Sequence, residues 1–253
     1  MKITIITVCY NAANTIEDTI VSVESQNYKN IEYIVIDGAS DDGTADILRR
    51  HTKNITHWVS EPDKGIYDAM NKGLFLATGD IVGFLNADDI YASEDVLSII
   101  AQEMTDNNIE ACYSDLMYVK KNDASTTVRY WKSCDFDEKL YKTGWCPPHL
   151  TFFARKSVYN HLGNFDTRFK LAADFDLLLR FLQVNRINTK YLPFVSVKMR
   201  MGGATNNSIK NIIKQNIEIL QSYKKYDLKI SIPYFLIQKS CARVGQFLHD
   251  KFD

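Results

Sequence analysis

The chain predicts an α/β fold: a mostly parallel sheet with helices packed on its faces. Three observations predict it. Apolar, β-branched runs recur near the start, as strands covered on both faces require. Stretches of helical spacing alternate with them, which implies parallel strands joined by crossover helices. Finally, Asn11, Asp37 and Asp88 each fall just past the end of such a run. Ligands of open α/β sheets bind at the carboxyl ends of the strands, so these residues belong to one site.

The first run is Ile3 to Val8, the second Ile31 to Ile36, and the third Ile81 to Leu85. Between them, helices are expected over about 13–26, 44–51 and 66–77; in the first, Ile16, Ile20 and Val23 share one face. Ala111 to Val119 and Thr126 to Trp131 read as further strands, joined by a turn at Lys120-Lys121-Asn122-Asp123. Trp145-Cys146-Pro147-Pro148-His149 is a stiff extended segment, because each proline holds its predecessor out of helical geometry. A helix follows from about Asp174 to Gln183, with Phe175, Leu178, Leu179 and Leu182 as its buried stripe. Two amphipathic helices close the chain. Ile209, Ile213, Ile217 and Leu220 mark the apolar face of one; Ile237, Cys241, Val244 and Leu248 mark the other, which starts near Pro233.

Composition bounds the function. At 45% hydrophobic and 24% charged residues, 253 residues suit one large domain with a tail. Five scattered cysteines without a CxxC pair argue against a disulfide framework or a thiolate zinc site and fit a reducing cytoplasm. Residues 1–15 lack a signal-peptide pattern, and no apolar stretch reaches membrane-spanning length. The net charge of −1 hides an asymmetry. Residues 190–253 hold 11 basic against 4 acidic side chains, a net of +7, and residues 1–189 hold 19 against 27, a net of −8. An acidic body argues against nucleic acid as its partner; the basic end is free to meet an anionic surface.

The polar segments fit one chemistry, transfer of a sugar from a nucleotide diphosphate to a hydroxyl. Asp88 and Asp89, directly after the third run, supply oxygen ligands for a divalent cation that grips a diphosphate. The alternative is an Asx turn. Asp37, in a loop with Gly38 and Gly43, can accept from a base N–H or a ribose hydroxyl; the alternative is a helix cap, for which Asp41 or Asp42 is better placed. Thr7, Tyr10 and Asn11 form the first strand-to-helix corner, where Tyr10 can pack on the base. Asp63 can hydrogen-bond the base and Lys64 can approach the nucleotide as a point charge. Asp68, Asn71 and Lys72 share one helix side, toward the cleft or toward solvent. Displacement at an anomeric carbon needs a carboxylate to take the acceptor proton. Asp174 is the candidate, with Asp166 and His149 as rivals; His149 otherwise lines the acceptor pocket. Asp176 points elsewhere and supports structure. No GxxxxGK[ST] or GxGxxG segment follows the first strand, which argues against nucleotidyl transfer and dinucleotide-dependent redox chemistry.

These stretches together resemble the inverting family 2 glycosyltransferases of bacterial surface-polysaccharide biosynthesis. The matching segments are Thr7 to Asn11, Ile36 to Thr44, Glu61 to Gly73, Phe84 to Asp89 and Ala173 to Arg180. The resemblance implies a GT-A fold, a UDP-sugar donor, Mn²⁺ or Mg²⁺ at the Asp88 position, and Asp174 as base. The family often has Asp where this chain has Asn86, so Asn86 contributes a hydrogen bond rather than charge. Asp88 is then the direct metal ligand, with Asp89 aiding or orienting. Met199 to Thr205 resembles a Gly-Gly segment found in many relatives. The expected division is 1–205 for the transferase domain and 206–253 for a basic amphipathic tail. The implied acceptor is a saccharide on a polyprenyl diphosphate in O-antigen, capsule or exopolysaccharide assembly, which a tail resting on the inner face of the cell membrane would suit. The tail packing on the domain or on a second copy, in a homo-oligomer, is the competing arrangement. A catalytically inactive nucleotide-sugar-binding or scaffold protein is the alternative function.

Overall fold

The computed structural model describes residues 1–202 and 208–248. The Met199–Thr205 segment therefore lies partly outside the described residues, as do the side chains of Ile209, Arg243, Val244 and Leu248.

The first half builds a parallel sheet. Strand β1 (Ile3–Cys9) leads to helix α1 (Ile16–Glu24), β2 (Ile31–Asp37) to α2 (Thr44–Arg50), β3 (His57–Ser60) to α3 (Ile66–Leu76), and β4 (Ile81–Phe84) follows. All seven residues of β1 and all four of β4 are buried, as the unbroken apolar runs require. The register β1–β2–β3 places Cys9 opposite Asp37 and Asp37 opposite Ser60, so three strands end level.

The second half extends this sheet with mixed direction. It contributes β5 (Ile90–Tyr91), α4 (Val96–Glu103), the hairpin β6 (Ala111–Lys120) and β7 (Asp123–Trp131), β8 (Phe153–Arg155), α5 (Lys156–Leu162) and β9 (Thr189–Arg200). The strand order is β3-β2-β1-β4-β8-β6-β9-β5, with β7 paired to β6. Strand β8 is antiparallel to both β4 and β6, so β6 and its parallel neighbour β9 run in the same direction as β4. The carboxyl ends of β1, β2, β4 and β9 therefore share one edge of the sheet.

Helix α6 (Ala173–Leu178) continues as a π-helical turn over Leu179–Val184. Phe175, Leu178, Leu179 and Leu182 are buried, as their spacing predicts. Helices α7 (Ile209–Lys225) and α8 (Ile232–Leu248) follow. Ile213, Ile217 and Ile237, which mark the apolar faces expected for the tail, are exposed at 55%, 50% and 59%. The buried face of α7 is instead Glu218, Ile219, Ser222 and Tyr223, and α8 buries Phe235. Ile219, Tyr223 and Phe235 form a second core with Ala172, Phe175 and Leu179 of the α6 region. The tail thus packs directly on the domain.

Candidate active site

The site grows from the common edge of the sheet. At the β1 end, Tyr10 is 66% exposed, and Asn11 adopts a left-handed φ of 51°. Asn11 is tied to the next loop: its N–H donates to Ser40 Oγ at 2.8 Å, and its Oδ1 accepts from the Asp41 N–H at 3.1 Å. Ala39 has a φ of 62°, a strained conformation for an alanine. The corner formed by β1 and β2 is held tightly.

Asp37 supplies that hold. It is fully buried, and its carboxylate accepts from the Ser40 N–H at 3.1 Å, from the Ser60 hydroxyl at 2.6 Å and from the Ser40 hydroxyl. Its lone pairs brace the loops on either side, so Asp37 shapes the pocket from beneath. The buried Cys9 thiol beside it is pushed up out of the nucleophilic range, first by burial and then by the Asp37 charge.

Above Asp37, Gly38 lets two loops meet. A Cβ at this position would lie 2.5 Å from Asp63 Oδ2 and 3.3 Å from Tyr10 Cδ2. Asp63, in the β3–α3 loop, is itself fixed by the Gly65 N–H at 2.8 Å from its Oδ1. The exposed Tyr10 ring and the Asp63 carboxylate thus meet beside Gly38, an aromatic face and a hydrogen-bond acceptor that together suit a planar base. Lys64, next in the chain, is exposed, while Lys72 reaches back to Glu61 at 2.7 Å and to the Pro62 carbonyl at 3.0 Å. Lys72 thereby pins the loop rather than facing the cleft.

Three expected donor contacts are not offered to a ligand here; the first is Asp37, whose buried carboxylate is taken up by Ser40 and Ser60. Thr7 is fully buried and pairs with the Tyr33 hydroxyl at 3.1 Å, because a residue within β1 points into the covered face of the sheet. Asn71 spends both ends of its amide on the Phe165 backbone, at 2.9 and 3.0 Å. All three side chains hold the fold.

After β4 the backbone turns through Asn86 to Asp89. Asp88 is partly exposed; burial raises its pKa while Arg200 and Lys121 pull it down. Asp89 is fully buried, and its Oδ1 accepts from the Arg200 N–H at 3.0 Å. Burial and the neighbouring Asp88 charge push the Asp89 pKa well up. The expectation of two carboxylates at a metal is corrected accordingly: Asp89 is withdrawn into the interior and only Asp88 is presented. Asp89 Oδ2 and Asn86 Oδ1 are buried with no hydrogen-bond partner among the described residues. No group of three or more His, Cys, Asp and Glu side chains gathers among the described residues. One open carboxylate after a strand still fits Mg²⁺ or Mn²⁺, because such ions take one or two carboxylates and complete their shell with phosphate and water oxygens.

Sequence reasoning did not find Arg200. At the carboxyl end of β9, its guanidinium donates to the Asp88 carbonyl at 3.2 Å and pairs with Asp18 of α1 at 2.5 Å. It clamps the Asp88 turn between β9 and α1.

Asp174 opens α6 on the same side. Its Oδ1 accepts from the Tyr67 hydroxyl at 3.0 Å, and its Oδ2 lies 3.7 Å from His149 Nδ1. Burial, then the Asp174 charge, holds the Tyr67 phenol well above its ordinary range, so Tyr67 stays a donor. Burial lowers the His149 pKa against the pull of Asp174, which favours a neutral ring at neutral pH. Phe84 of β4 lines one small cavity of about 10 Å³ with His149, Phe165 and Asp174. That cavity is too small for a sugar. Tyr67 follows Asp63 and Lys64 by one turn, so the β3–α3 loop and α3 connect the base pocket to Asp174. Tyr67 was the second residue missed; it reads as an ordinary helix-opening aromatic. The rival Asp166 is occupied by Arg168 at 2.6 Å and Lys225 at 2.9 Å.

Comparison with known proteins places the arrangement. Residues 4–166 match the profile of Glycosyl transferase family 2. The PGL/p-HBAD biosynthesis glycosyltransferase of Mycobacterium tuberculosis is 30% identical over 202 residues, spanning 79% of this chain and 77% of that protein. Among solved structures, S. aureus TarS 1-349 in complex with UDP-GlcNAc superposes with a TM-score of 0.68 at 17% identity, covering 90% of this chain and 68% of that one. The mannosyltransferase PcManGT from Pyrobaculum calidifontis, in complex with GDP-Man and Mn²⁺, gives 0.65 at 22% identity, covering 98% and 70%. These likenesses bear out the GT-A type of fold.

Proposed function

The chain belongs to glycosyl transferase family 2, and from that membership we propose that it moves a hexose or N-acetylhexosamine from a UDP-sugar to a saccharide hydroxyl with inversion. The observation that carries this reading is the common edge: the Tyr10–Gly38–Asp63 pocket, the open Asp88 carboxylate and the Asp174 carboxylate all stand at or beside carboxyl ends of the same sheet.

In this mechanism the uracil stacks on Tyr10 and donates its N3–H to Asp63. Asn86 hydrogen-bonds a ribose or sugar hydroxyl, and Lys64 stands at the phosphate side. A divalent cation held by Asp88 would offset the diphosphate charge as the bond to the sugar breaks. Asp174 accepts the acceptor's proton as its oxygen attacks the anomeric carbon from the opposite face. Tyr67 fixes one oxygen of that carboxylate, leaving the other for the proton. His149 lines the acceptor side.

The acceptor is proposed to be a polyprenyl-diphosphate saccharide of a surface polysaccharide, reached at a lipid surface. Support comes from α7 and α8, which expose Ile213, Ile217, Ile232, Leu236 and Ile237 within a strongly basic stretch. No described helix is long and apolar enough to cross a membrane.

The test is a donor panel. The protein is incubated with UDP-glucose, UDP-galactose, their N-acetyl forms and GDP-mannose, with Mn²⁺ and a lipid-diphosphate saccharide, and the product's anomeric configuration is read by NMR. Consumption of one UDP-sugar with inversion is expected. Tight UDP binding without turnover of any donor would favour a binding or scaffold protein instead.

A further inference from the structure

The α6 helix that carries Asp174 is gripped by α7 at two points. The first is Glu218, a buried carboxylate on α7. Its Oε2 accepts from three consecutive backbone N–H groups, those of Lys170 at 2.9 Å, Leu171 at 2.7 Å and Ala172 at 3.0 Å. These residues form the turn that launches α6, and Ala172 is its cap residue. An anion beneath converging N–H groups at a helix start is favoured by both hydrogen bonding and the helix dipole. The α6 N-terminus has no side-chain cap of its own; Glu218 supplies one from a distant part of the chain.

The second grip is Asp176, two residues after Asp174 and fully buried. Its carboxylate accepts from Ser222 Oγ at 3.0 Å, Lys225 Nζ at 2.9 Å and the Tyr226 hydroxyl at 3.2 Å. Glu218, Ser222, Lys225 and Tyr226 recur at helical spacing, so one polar stripe of α7 holds both ends of the segment bearing Asp174. The Glu218 charge also reaches Tyr67, where it adds to the upward pressure on the phenol that donates to Asp174.

We propose that Glu218 is a positioning residue for the transfer reaction: it sets the turn at 170–172 and thereby the place of the Asp174 carboxylate. The C-terminal helix pair is on this account part of the catalytic scaffold, whatever surface its outer face meets. The inference rests on the reading of Asp174 as the base.

The test compares Glu218→Ala, Glu218→Gln and Asp174→Asn with the unaltered protein, using the donor the panel selects, Mn²⁺ and saturating acceptor. Three quantities are read: kcat, the UDP dissociation constant, and hydrogen exchange at amides 170–172. In Glu218→Ala, kcat should fall roughly tenfold or more, since misplacing a reacting group by about 1 Å costs on the order of 10²-fold. UDP affinity should stay within about twofold, because Glu218 hydrogen-bonds the 170–172 turn and neither Tyr10 nor Asp63. Amides 170–172 should exchange faster while those of β1 and β2 do not. Glu218→Gln, whose amide oxygen still accepts hydrogen bonds, should recover part of kcat. A kcat near the unaltered value with amides 170–172 deprotected would overturn the proposal. So would a fall in kcat matched by an equal loss of UDP binding, which marks general destabilisation. Asp174→Asn separates the two readings. If it abolishes transfer while Glu218→Ala does not, only the positioning role fails; if it transfers at the unaltered rate, the base assignment itself fails.

Discussion

Asp174 keeps one carboxylate oxygen bound to Tyr67 and the other near His149 at 3.7 Å, so the carboxylate is aimed rather than free to rotate. Removing the Tyr67 hydroxyl while keeping the ring tests that arrangement. Tyr67→Phe should lower kcat while leaving donor KM nearly unchanged, because only the aim of the carboxylate is lost; steady-state kinetics at saturating acceptor reads the split. Asp88→Ala should weaken Mn²⁺-dependent donor binding and transfer together, measurable by titrating UDP with and without the ion. Gly38→Ala forces a methyl to 2.5 Å from Asp63 Oδ2. The end of the Asp63 side chain can swing aside to make room, so the cost should appear as weaker UDP binding by calorimetry with little change in the melting temperature. Asn11, Asp37 and Asp88 could be placed at strand ends because each follows an apolar run, and Asp174 at a helix opening; that the Asp37 carboxylate would be buried under Ser40 and Ser60 was not legible. Nor were Tyr67, Arg200 and Glu218, since their roles arise only from partners far along the chain.

At the scale of elements, β1, β2 and β4 could be read from sequence because strands buried on both faces are continuously apolar. Strand β9 escaped notice: it contains Pro193, alternates unevenly between buried and exposed positions, and shifts register against β6 near Asp115. Helix α7 shows what the spacing leaves out. Its isoleucines mark an amphipathic stripe, yet Ile213 and Ile217 face outward while Glu218 and Ser222 are buried. Hydrophobic periodicity does not register polar groups whose hydrogen bonds are satisfied inside the fold. The outward stripe has a direct test. Ile213→Asp with Ile217→Asp should reduce co-sedimentation with vesicles containing anionic lipid and leave the far-ultraviolet spectrum unchanged. Deleting residues 229–253 is a poorer probe, because it removes Phe235 from the second core, and loss of a buried Phe costs about 3–5 kcal/mol. A further element-level device is Glu32 of β2. Burial raises its pKa, but hydrogen bonds from Thr4, the Thr78 hydroxyl and N–H, and Lys2 win, bringing it to about 2. A carboxyl with a lowered folded pKa stabilises above its unfolded value, near 4.5, and that stability disappears as pH falls toward 2. Urea denaturation of the unaltered protein and Glu32→Gln should therefore converge as the buffer is taken from pH 6 toward about pH 2.

Across the whole molecule, one mixed sheet aligns the Tyr10–Asp63 corner, the Asp88 turn and the end of β9, and Tyr67 of α3 holds the Asp174 carboxylate of α6 beside the end of β4. The α7 helix holds the segment on either side of Asp174 through Glu218 and Ser222 and leaves apolar side chains outward. On the proposed reading, nucleotide binding and proton abstraction fall to different elements and can be separated experimentally. The most direct measurement is transfer by Asp174→Asn alongside its affinity for UDP and Mn²⁺. The account predicts UDP affinity close to that of the unaltered protein and a rate reduced by roughly 10²–10⁴-fold. Transfer at the unaltered rate would contradict it, and the proton would have to leave through another residue.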